Sequence, residues 1–412
     1  MNYPKILFIN VKFKNDSSDG ITISKVFEKY PQENLSSITF SDKKDDMILI
    51  GNYFFLDKNT PSNQSEFNEK EIKQAKGLKK FYIKIRRSYI GIRSSERYRI
   101  SDILKKWMLI INPDFIFINT DNKYELIDFT IRLSDLSKKK IIVHVLDDKV
   151  NYRFPGIMGF YYNHKLTKCF NLLIKNSTIR FCISELMQKE YEERYKQKFF
   201  ILHNSVDLNL FKYVKLSKKN NMIRICYRGV LDYNYKTLIT LAQTIDELNK
   251  KGYEIILTIY TKLNHPQIEK KLADFKSVFL KEFISQKDLI NDFDDFDYLF
   301  LPMPFEKSQK FIRLSLSCKL SEYLASGVPI IVLAPSNSAV VEYSIKNDFA
   351  YVLTSTNKKY LYNSLEEIFN KNDSDSKRRN GRNIAEKEHN KELYQKYVHD
   401  LLLENINNYS NE

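Results

Sequence analysis

The chain has 412 residues, of which 43% are hydrophobic and 14% aromatic, and this composition excludes an intrinsically disordered protein. A chain of this length is too long for one ordinary core, so two domains are predicted. The formal net charge of +15 would suit an anionic partner, but its meaning depends on where the charge lies.

Strands and helices alternate through the first half of the chain. The opening residues, MNYPKILFINVKF, contain a short apolar run without a cleavage site, and predict a strand at 5–13 instead of a signal peptide. Such alternation is typical of a parallel, doubly wound sheet. After a loop at 16–20, the pattern predicts helices at 21–30 and 123–137 and strands at 47–56, 113–120, 140–146, 178–184 and 199–203.

The positive charge is concentrated between Lys70 and Lys106, where 13 Lys/Arg stand against 3 Asp/Glu. Aromatic and aliphatic residues are interleaved with these basic residues, a pattern that suits anionic lipid or a phosphorylated partner. Nucleic acid is the rival partner, and a solvated, unusually basic helix pair is the structural alternative. No apolar run approaches the roughly 20 residues that span a bilayer, so any membrane contact is predicted to be peripheral.

A polar linker at 215–221 (KLSKKNN) precedes a second round of alternation. The whole pattern predicts two Rossmann-like, doubly wound domains that face a central cleft, where the ends of the strands converge. The predicted domains are 1–207 and 208–389, with a terminal helix at 390–412 that could dock back on the first domain. The second round has predicted strands at 223–228, 253–260, 278–283, 298–302 and 329–334 and helices at 235–250, 267–274, 286–293 and 319–326.

The four cysteines, Cys169, Cys182, Cys226 and Cys318, have no CxxC spacing, and three of them lie in apolar runs. Reduced thiols in a reducing compartment are therefore predicted. We expect a cytoplasmic protein.

One stretch of the second domain, from Arg313 to Tyr343, combines a helix start with charged residues. Lys319 lies in the first helical turn, where free amides and the helix dipole favour an anion, and Glu322 follows on the same face. A cation beside free amides suits phosphate, while a carboxylate one turn on can accept hydroxyls of a sugar. The alternative is a surface Lys and Glu at an ordinary helix start.

Two further groups of polar residues follow predicted strands. His144, Asp147 and Asp148 end a buried strand and could bind substrate hydroxyls; a satisfied histidine with a capping aspartate is the alternative, and a metal site is the weaker one. Arg228, Gly229 and Lys236 form a glycine turn with flanking cations before a helix, which suits a diphosphate, although an ordinary loop would look similar.

Other motifs exclude or reduce possible functions. The chain has neither GxGxxG after a strand nor GxxxxGK[ST], which argues against dinucleotide oxidoreductases and P-loop enzymes. Asp295 and Asp297 match DxD literally, but Asp297 begins a predicted buried strand. We interpret this pair as structural.

Four segments together resemble bacterial GT-B glycosyltransferases of the family 4 type, nearly from end to end. These segments are VHVLDD (143–148), CISELMQKEYEERYKQKFFILHNSVD (182–207), YRGVLDYNYKTL (227–238) and LPMPFEKSQKFIRLSLSCKLSEYLASGVPIIV (301–332), the last being the most specific. The resemblance implies a retaining enzyme that needs no metal and no cofactor beyond its nucleoside diphosphate sugar donor.

The resemblance also implies a role for each candidate residue. His144 would contact the transferred sugar with Asp147 and Asp148 beside it, and Glu322 would bind the donor ribose. The donor diphosphate would be held by Arg228, Gly229, Lys236 and Lys319, with Gly20 in the first loop allowing close approach to the phosphates.

The chain departs from the family pattern at Leu314, where many members carry a glutamate eight residues before the position of Glu322. That glutamate helps to place the donor sugar, so Ser315, Ser317 or backbone amides would have to replace it. The resemblance implies transfer of a hexose-type unit to a lipid-linked glycan acceptor in the assembly of cell-surface polysaccharide. The basic segment predicts contact with an anionic membrane, and nucleic acid is not predicted as a partner. A non-catalytic GT-B partner subunit and a GT-B nucleotide-sugar epimerase are the alternatives.

Overall fold

The computed structural model describes residues 3–11, 13, 18–39, 49–56, 98–211, 213, 222–283, 292–371 and 373–407. The chain divides into two compact units. The first comprises Met1–His203 with Tyr394–Glu412, and the second comprises Asn204–Leu393.

The first unit contains a parallel sheet whose described strands follow the order β3-β2-β1-β4-β5-β6-β7. Its central strands are nearly continuous apolar runs because helices cover both faces of such a sheet. The strands are β1 (Ile6–Ile9), β2 (Leu35–Thr39), β3 (Asn52–Phe55), β4 (Phe115–Asn119), β5 (Lys140–Val145), β6 (Ser177–Cys182) and β7 (Phe200–Ile201). The helices are α1 (Ser18–Phe27), α2 (Asp102–Ile111), α3 (Tyr124–Ser137), α4 (Gly156–Asn176) and α5 (Glu185–Tyr195).

The second unit contains another parallel sheet, in the order β10-β9-β8-β11-β12-β13. The two parallel sheets with their helices confirm the predicted α/β class. The strands are β8 (Met222–Arg228), β9 (Glu254–Thr261), β10 (Val278–Glu282), β11 (Tyr298–Pro302), β12 (Ile330–Leu333) and β13 (Ala350–Leu353). The helices are α6 (Tyr235–Asn249), α7 (Pro266–Ala273), α8 (Cys318–Ser326), α9 (Ala339–Asn347), α10 (Lys358–Asn370) and α11 (Ser374–Glu388).

The last helix, α12 (Lys391–Asn407), packs from Tyr394 onwards with the first unit. Gln395 donates to the carbonyl of Lys25 at 2.8 Å, and Leu402 is fully buried with the apolar residues of β1 and β4. Burial of apolar surface stabilises the folded state by about 25 cal/mol per Å². Since Leu402 is buried in the core of the first unit, α12 contributes to the stability of that core.

Helix α8 is capped at both ends. Ser317 is the N-cap, and its hydroxyl accepts the N–H of Lys319 at 3.4 Å. Gly327 ends the helix with φ +75°, and a Cβ there would lie 2.8 Å from the Tyr213 ring. A glycine is therefore required at the exit of α8 for both conformation and space.

Strands β2 and β13 and helix α4 are among the elements absent from the predictions. Strand β2 has the sequence LSSIT, and its buried Ser36 and Ser37 conceal its apolar pattern. Strand β13 is short, and α4 is a long helix that starts at a glycine without a side-chain cap. Burial in the tertiary structure, which a local pattern does not reveal, explains these omissions.

Several predictions fall on residues outside the described ranges. They are the linker at 215–221, nearly all of the helix at 286–293 and most of the basic segment between Lys70 and Lys106. Within the described ranges, no helix is both long enough and apolar enough to cross a bilayer.

Candidate functional site

The second unit brings together residues that are far apart in sequence, at the end of β8 and the start of α8. Nη1 of Arg228 lies 2.9 Å from Oε2 of Glu322, and the two side chains are only 11% and 8% exposed. Since the carboxyl ends of parallel strands are where open α/β sheets bind ligands, this ion pair marks a candidate site.

Arg228 also contacts two aromatic residues. Its backbone N–H donates to the Tyr323 hydroxyl at 3.2 Å, and its guanidinium lies 4.4 Å from the centroid of the Phe283 ring. Its Nε is buried and has no hydrogen-bond partner within the described part of the chain. The guanidinium is thus held between a carboxylate and an aromatic face, an arrangement that favours arginine over lysine.

Gly229 makes room for the Lys319 side chain. A Cβ at Gly229 would lie 2.3 Å from Cε of Lys319 and 2.7 Å from the Tyr227 hydroxyl, so a larger residue would displace the lysine. Burial acts to lower the pKa of Lys319, but Cys318, Tyr227 and Glu322 together outweigh it and leave the pKa raised. Lys319 is therefore a cation at neutral pH.

The first turn of α8 adds backbone N–H groups to this cation. Lys319 is the second residue of the helix, where amide groups and the helix dipole both favour an anion. Leu314 is fully buried just before the helix, and Ser315 is nearly so. Gly229, Lys319 and the start of α8 together form an environment that suits phosphate, with Glu322 one turn further along.

Lys236 lies in a more exposed setting than Lys319. It is the second residue of α6, its side chain is 58% exposed, and its Nζ pairs with Oε1 of Glu306 at 3.0 Å. The hydrogen bond to Glu306, followed by the charge of the same carboxylate, raises the pKa of Lys236. Its predicted contact with a diphosphate stays a prediction.

The sequence predicted Gly20 in a loop, and this prediction is wrong, because Gly20 is the third residue of α1. The helix begins at Ser18 and not near Ile21, since a serine followed by an aspartate suits the first turn of a helix. Gly20 is buried in this position.

In the first unit, the His144 imidazole is fully buried within the sheet. Its Nδ1 lies 3.2 Å from Oδ1 of Asn119, and the rings of Phe117 and Phe181 meet it edge to face. Burial lowers the pKa of His144 to about 3, so the ring is neutral at pH 7. A contact between this ring and a sugar stays a prediction.

Asp148 is buried in a hydrogen-bond network, whereas Asp147 is partly exposed. Oδ1 of Asp148 accepts the Tyr191 hydroxyl at 2.7 Å and lies 3.4 Å from Nη1 of Arg194. Burial, and then the charge of Asp148, raises the pKa of Tyr191 well above its usual value. Asp147 lies 4.0 Å from Nζ of Lys149, in a setting closer to solvent. This network fixes the Asp148 carboxylate, and its place beside the transferred sugar stays a prediction.

Asp297, of the DxD match, also has a structural contact. Its Oδ2 accepts the backbone N–H of Arg224 at 2.8 Å, and burial raises its pKa. In the part of the chain that the structure describes, no three His, Cys, Asp or Glu side chains are grouped as metal ligands.

Sequence reasoning did not find three aromatic residues at the site, namely Tyr227, Phe283 and Tyr323. Tyr323 follows Glu322 directly, and Phe283 comes just after β10, so a position next to a candidate residue or strand end was the only available signal. The Arg228–Glu322 pair was also missed, because its members are 94 positions apart.

No model of a known protein family matches the chain, and no curated protein matches it by sequence. Solved structures do match. Sucrose-phosphate synthase from Thermosynechococcus elongatus aligns with a TM-score of 0.67 at 12% identity, covering 98% of this chain and 99% of that one. Anabaena HepE, solved with UDP and glucose, aligns with a TM-score of 0.62 at 13% identity, covering 97% of this chain and 99% of that one. WaaG, a glycosyltransferase of lipopolysaccharide biosynthesis, aligns with a TM-score of 0.61 at 11% identity, covering 96% of this chain and 99% of that one.

These structures show that the chain has the GT-B fold of glycosyltransferases. A UDP-N-acetylglucosamine 2-epimerase aligns with it as well, with a TM-score of 0.54 at 11% identity over 98% of this chain and 96% of that one. At such identities the likeness concerns the fold, and the chemistry has to be argued from the residues.

Proposed function

We propose that the chain is a retaining glycosyltransferase that moves a hexose-type sugar from a nucleoside diphosphate sugar to a glycan acceptor. The observation that carries this proposal is the meeting of Gly229, Lys319 and Glu322 at the start of α8, in a chain of GT-B fold. A lysine cation and helix amides suit the diphosphate, and a carboxylate one turn on suits the ribose.

The proposed chemistry depends on stabilising the leaving group. The acceptor oxygen bonds to the anomeric carbon, the bond from that carbon to the diphosphate breaks, and the acceptor proton leaves with the diphosphate. Lys319 and the amides of α8 stabilise the charge that develops on the diphosphate, which is the usual route to a large rate effect. Because lysine and amides supply this stabilisation, the proposed reaction needs no metal ion.

We propose that His144, near the end of β5, contacts the transferred sugar, with Asp147 and Asp148 beside it, and that the first unit is the acceptor side of the enzyme. Asp147 is the most accessible of them, with a side chain 26% exposed against 6% for Asp148. The proposed acceptor is lipid-linked and belongs to a cell-surface polysaccharide. WaaG, which shares the fold, is a glycosyltransferase of lipopolysaccharide biosynthesis.

The described end of the basic segment supports a contact with an anionic membrane. Three aliphatic side chains of helix α2 are largely exposed to solvent: Ile103 is 73% exposed, Leu109 80% and Ile110 79%. Lys105 and Lys106 are exposed on the same helix. Aliphatic side chains interleaved with lysines are typical of helices that lie in a membrane interface. The proposed location is therefore cytoplasmic and peripheral, on the inner face of the cell membrane.

The test of this function is an incubation of the protein with UDP-, GDP-, ADP- and CDP-sugars, with and without a membrane lipid extract. We expect release of the nucleoside diphosphate and a labelled glycolipid product only when the extract is present. No release from any donor with the extract present would contradict the proposal.

An epimerase is a second candidate, because a 2-epimerase shares the fold and Leu314 replaces the acid that usually places the donor sugar. Conversion of the donor sugar without any acceptor would favour it. A non-catalytic partner subunit would neither release nor convert the donor.

A further inference from the structure

Arg228 was expected, from the resemblance, to bind the donor diphosphate, but its guanidinium has other partners. One terminal nitrogen pairs with Glu322 at 2.9 Å, and one face of the group covers the Phe283 ring at 4.4 Å. Both charged side chains are about nine-tenths buried, at 11% and 8% exposure. These contacts direct the guanidinium towards the carboxylate that is proposed to hold the donor ribose.

We infer that Arg228 is a positioning residue, which fixes the Glu322 carboxylate for the donor ribose and leaves the diphosphate to Lys319 and the amides of α8. This inference rests on the proposed function. It goes beyond it by separating the ribose-binding and phosphate-binding parts of one site.

A carboxylate as buried as that of Glu322 needs a counter-charge, because an isolated buried ion is strongly destabilised. Arg228 supplies it in a fixed direction, since the planar guanidinium is also held by the aromatic face of Phe283 and by the position of β8. A carboxylate has about four acceptor positions, and the bond to Arg228 uses one of them, so this pairing does not itself prevent Glu322 from accepting ribose hydroxyls.

Lys319 is the better candidate for the phosphates. Its Nζ lies beside Gly229, and its backbone is in the first turn of α8, where helix amides favour an anion. Within the described residues, Lys319 forms no ion pair with any carboxylate, in contrast to Arg228. The two cations near this turn are therefore predicted to have different roles.

The experiment compares binding constants by calorimetry, using the nucleoside diphosphate that binds the wild type best among UDP, GDP, ADP and CDP. The ribose ratio is the Kd of the 2′-deoxy analogue divided by that of the diphosphate. The phosphate ratio is the Kd of the monophosphate divided by that of the diphosphate. The variants are Arg228→Gln, Glu322→Gln and the double variant, with Arg224→Gln on the same strand as the matched control.

We expect Arg228→Gln and Glu322→Gln each to lower the ribose ratio about tenfold, as loss of a hydrogen bond to a charged group would do. The double variant should lower it no further, because the two residues act as one unit. The phosphate ratio should change by no more than in Arg224→Gln. An unchanged ribose ratio with a lower phosphate ratio in Arg228→Gln would make Arg228 a phosphate ligand and overturn the inference.

Removal of Arg228 alone leaves Glu322 buried without its counter-charge, and that variant can fail to fold. The comparison of Glu322→Gln with the double variant then decides the question, because the double variant pairs two neutral amides. Equal phosphate ratios in these two proteins support the inference, and a lower one in the double variant overturns it. A wild type that binds no nucleotide would overturn the proposed function and this inference with it.

Discussion

The two units place polar and charged residues at the ends of parallel strands in two different ways. At the end of β5, His144 and Asp148 are close in sequence, yet each is buried among its own partners: Asn119 for the histidine, Tyr191 and Arg194 for the aspartate. At the end of β8, Arg228 meets Glu322 from 94 positions away, beside a lysine and a helix start. Polar residues that are close in sequence can thus have separate partners, while residues that are far apart in sequence can meet at one site.

The largest effect is expected from Glu322→Ala. Loss of one partner of a buried ion pair costs about 3–5 kcal/mol, because Arg228 is left as an uncompensated charge. The same variant should lose nucleotide binding. Chemical unfolding measures the first effect and calorimetry with nucleoside diphosphates measures the second.

The control for that variant is Glu306→Ala, which removes the partner of the exposed Lys236. Because an ion pair with one largely exposed member contributes little, its unfolding free energy should change by less than about 1 kcal/mol. If Glu322→Ala were as stable as this control, the ion pair would not be the structural centre of the site.

Tyr191→Phe tests the hydrogen-bond network around Asp148 in the first unit. The Asp148 carboxylate loses a hydrogen bond of 2.7 Å inside the protein, which should cost about 1.5–3 kcal/mol. Nucleotide affinity should stay as in the wild type. Tyr161→Phe, at a tyrosine 45% exposed, is the matched control and should be neutral.

A change in nucleotide affinity with Tyr191→Phe, at unchanged stability, would contradict this expectation. The Asp148 network would then be part of the nucleotide site itself.

The buried His144 imidazole should make the stability of the first unit depend on pH. The pKa of the buried ring is about 3, below its unfolded value near 6.5, so protonation favours the unfolded state. The stability from this group is complete above pH 6.5 and is lost progressively as the pH falls towards 3. Between pH 7 and pH 5 the loss should be about 2 kcal/mol.

Chemical unfolding of the wild type and of His144→Gln at pH 7 and pH 5 measures this loss. The variant should lack that part of the pH dependence, whereas His164→Gln, at an exposed histidine, should retain it. Equal pH slopes in all three proteins would show that the His144 ring is not buried in solution.

The smallest effect is expected from Ser315→Ala with Ser317→Ala. Ser317 caps α8, and the loss of an N-cap costs about 1 kcal/mol. If these serines replace the acid missing at Leu314, donor turnover should fall as well. Unchanged turnover and donor affinity would mean that other groups place the sugar.

The sequence was a good guide where periodicity and capping agree. Helix α8 has its N-cap at Ser317, its left-handed Gly327 and the following apolar strand, all within local range. It was a poor guide at β2, where Ser36 and Ser37 are buried, and at Gly20, which lies inside a helix. Local patterns do not record burial by distant segments.

The candidate site was only partly predictable for the same reason. Arg228, Lys319 and Glu322 were each identified from local context, as a turn, a first helical turn and a helix face. Their pairing depends on the packing of α8 beside the end of β8, which only the folded chain reveals. That packing gives Arg228 a partner that local reasoning did not assign.

The central claim is that Lys319, beside Gly229 and the start of α8, forms the donor site. The most direct measurement is thermal unfolding with UDP, GDP, ADP and CDP, for the wild type, Lys319→Ala and Lys236→Ala. A ligand at 100 times its Kd stabilises by about 2.7 kcal/mol, so one nucleotide should raise the Tm of the wild type by several degrees. Lys319→Ala should abolish this shift, while Lys236→Ala, at an exposed lysine, should reduce it only in part. No shift with any nucleotide, or a full shift in Lys319→Ala, would contradict the central claim.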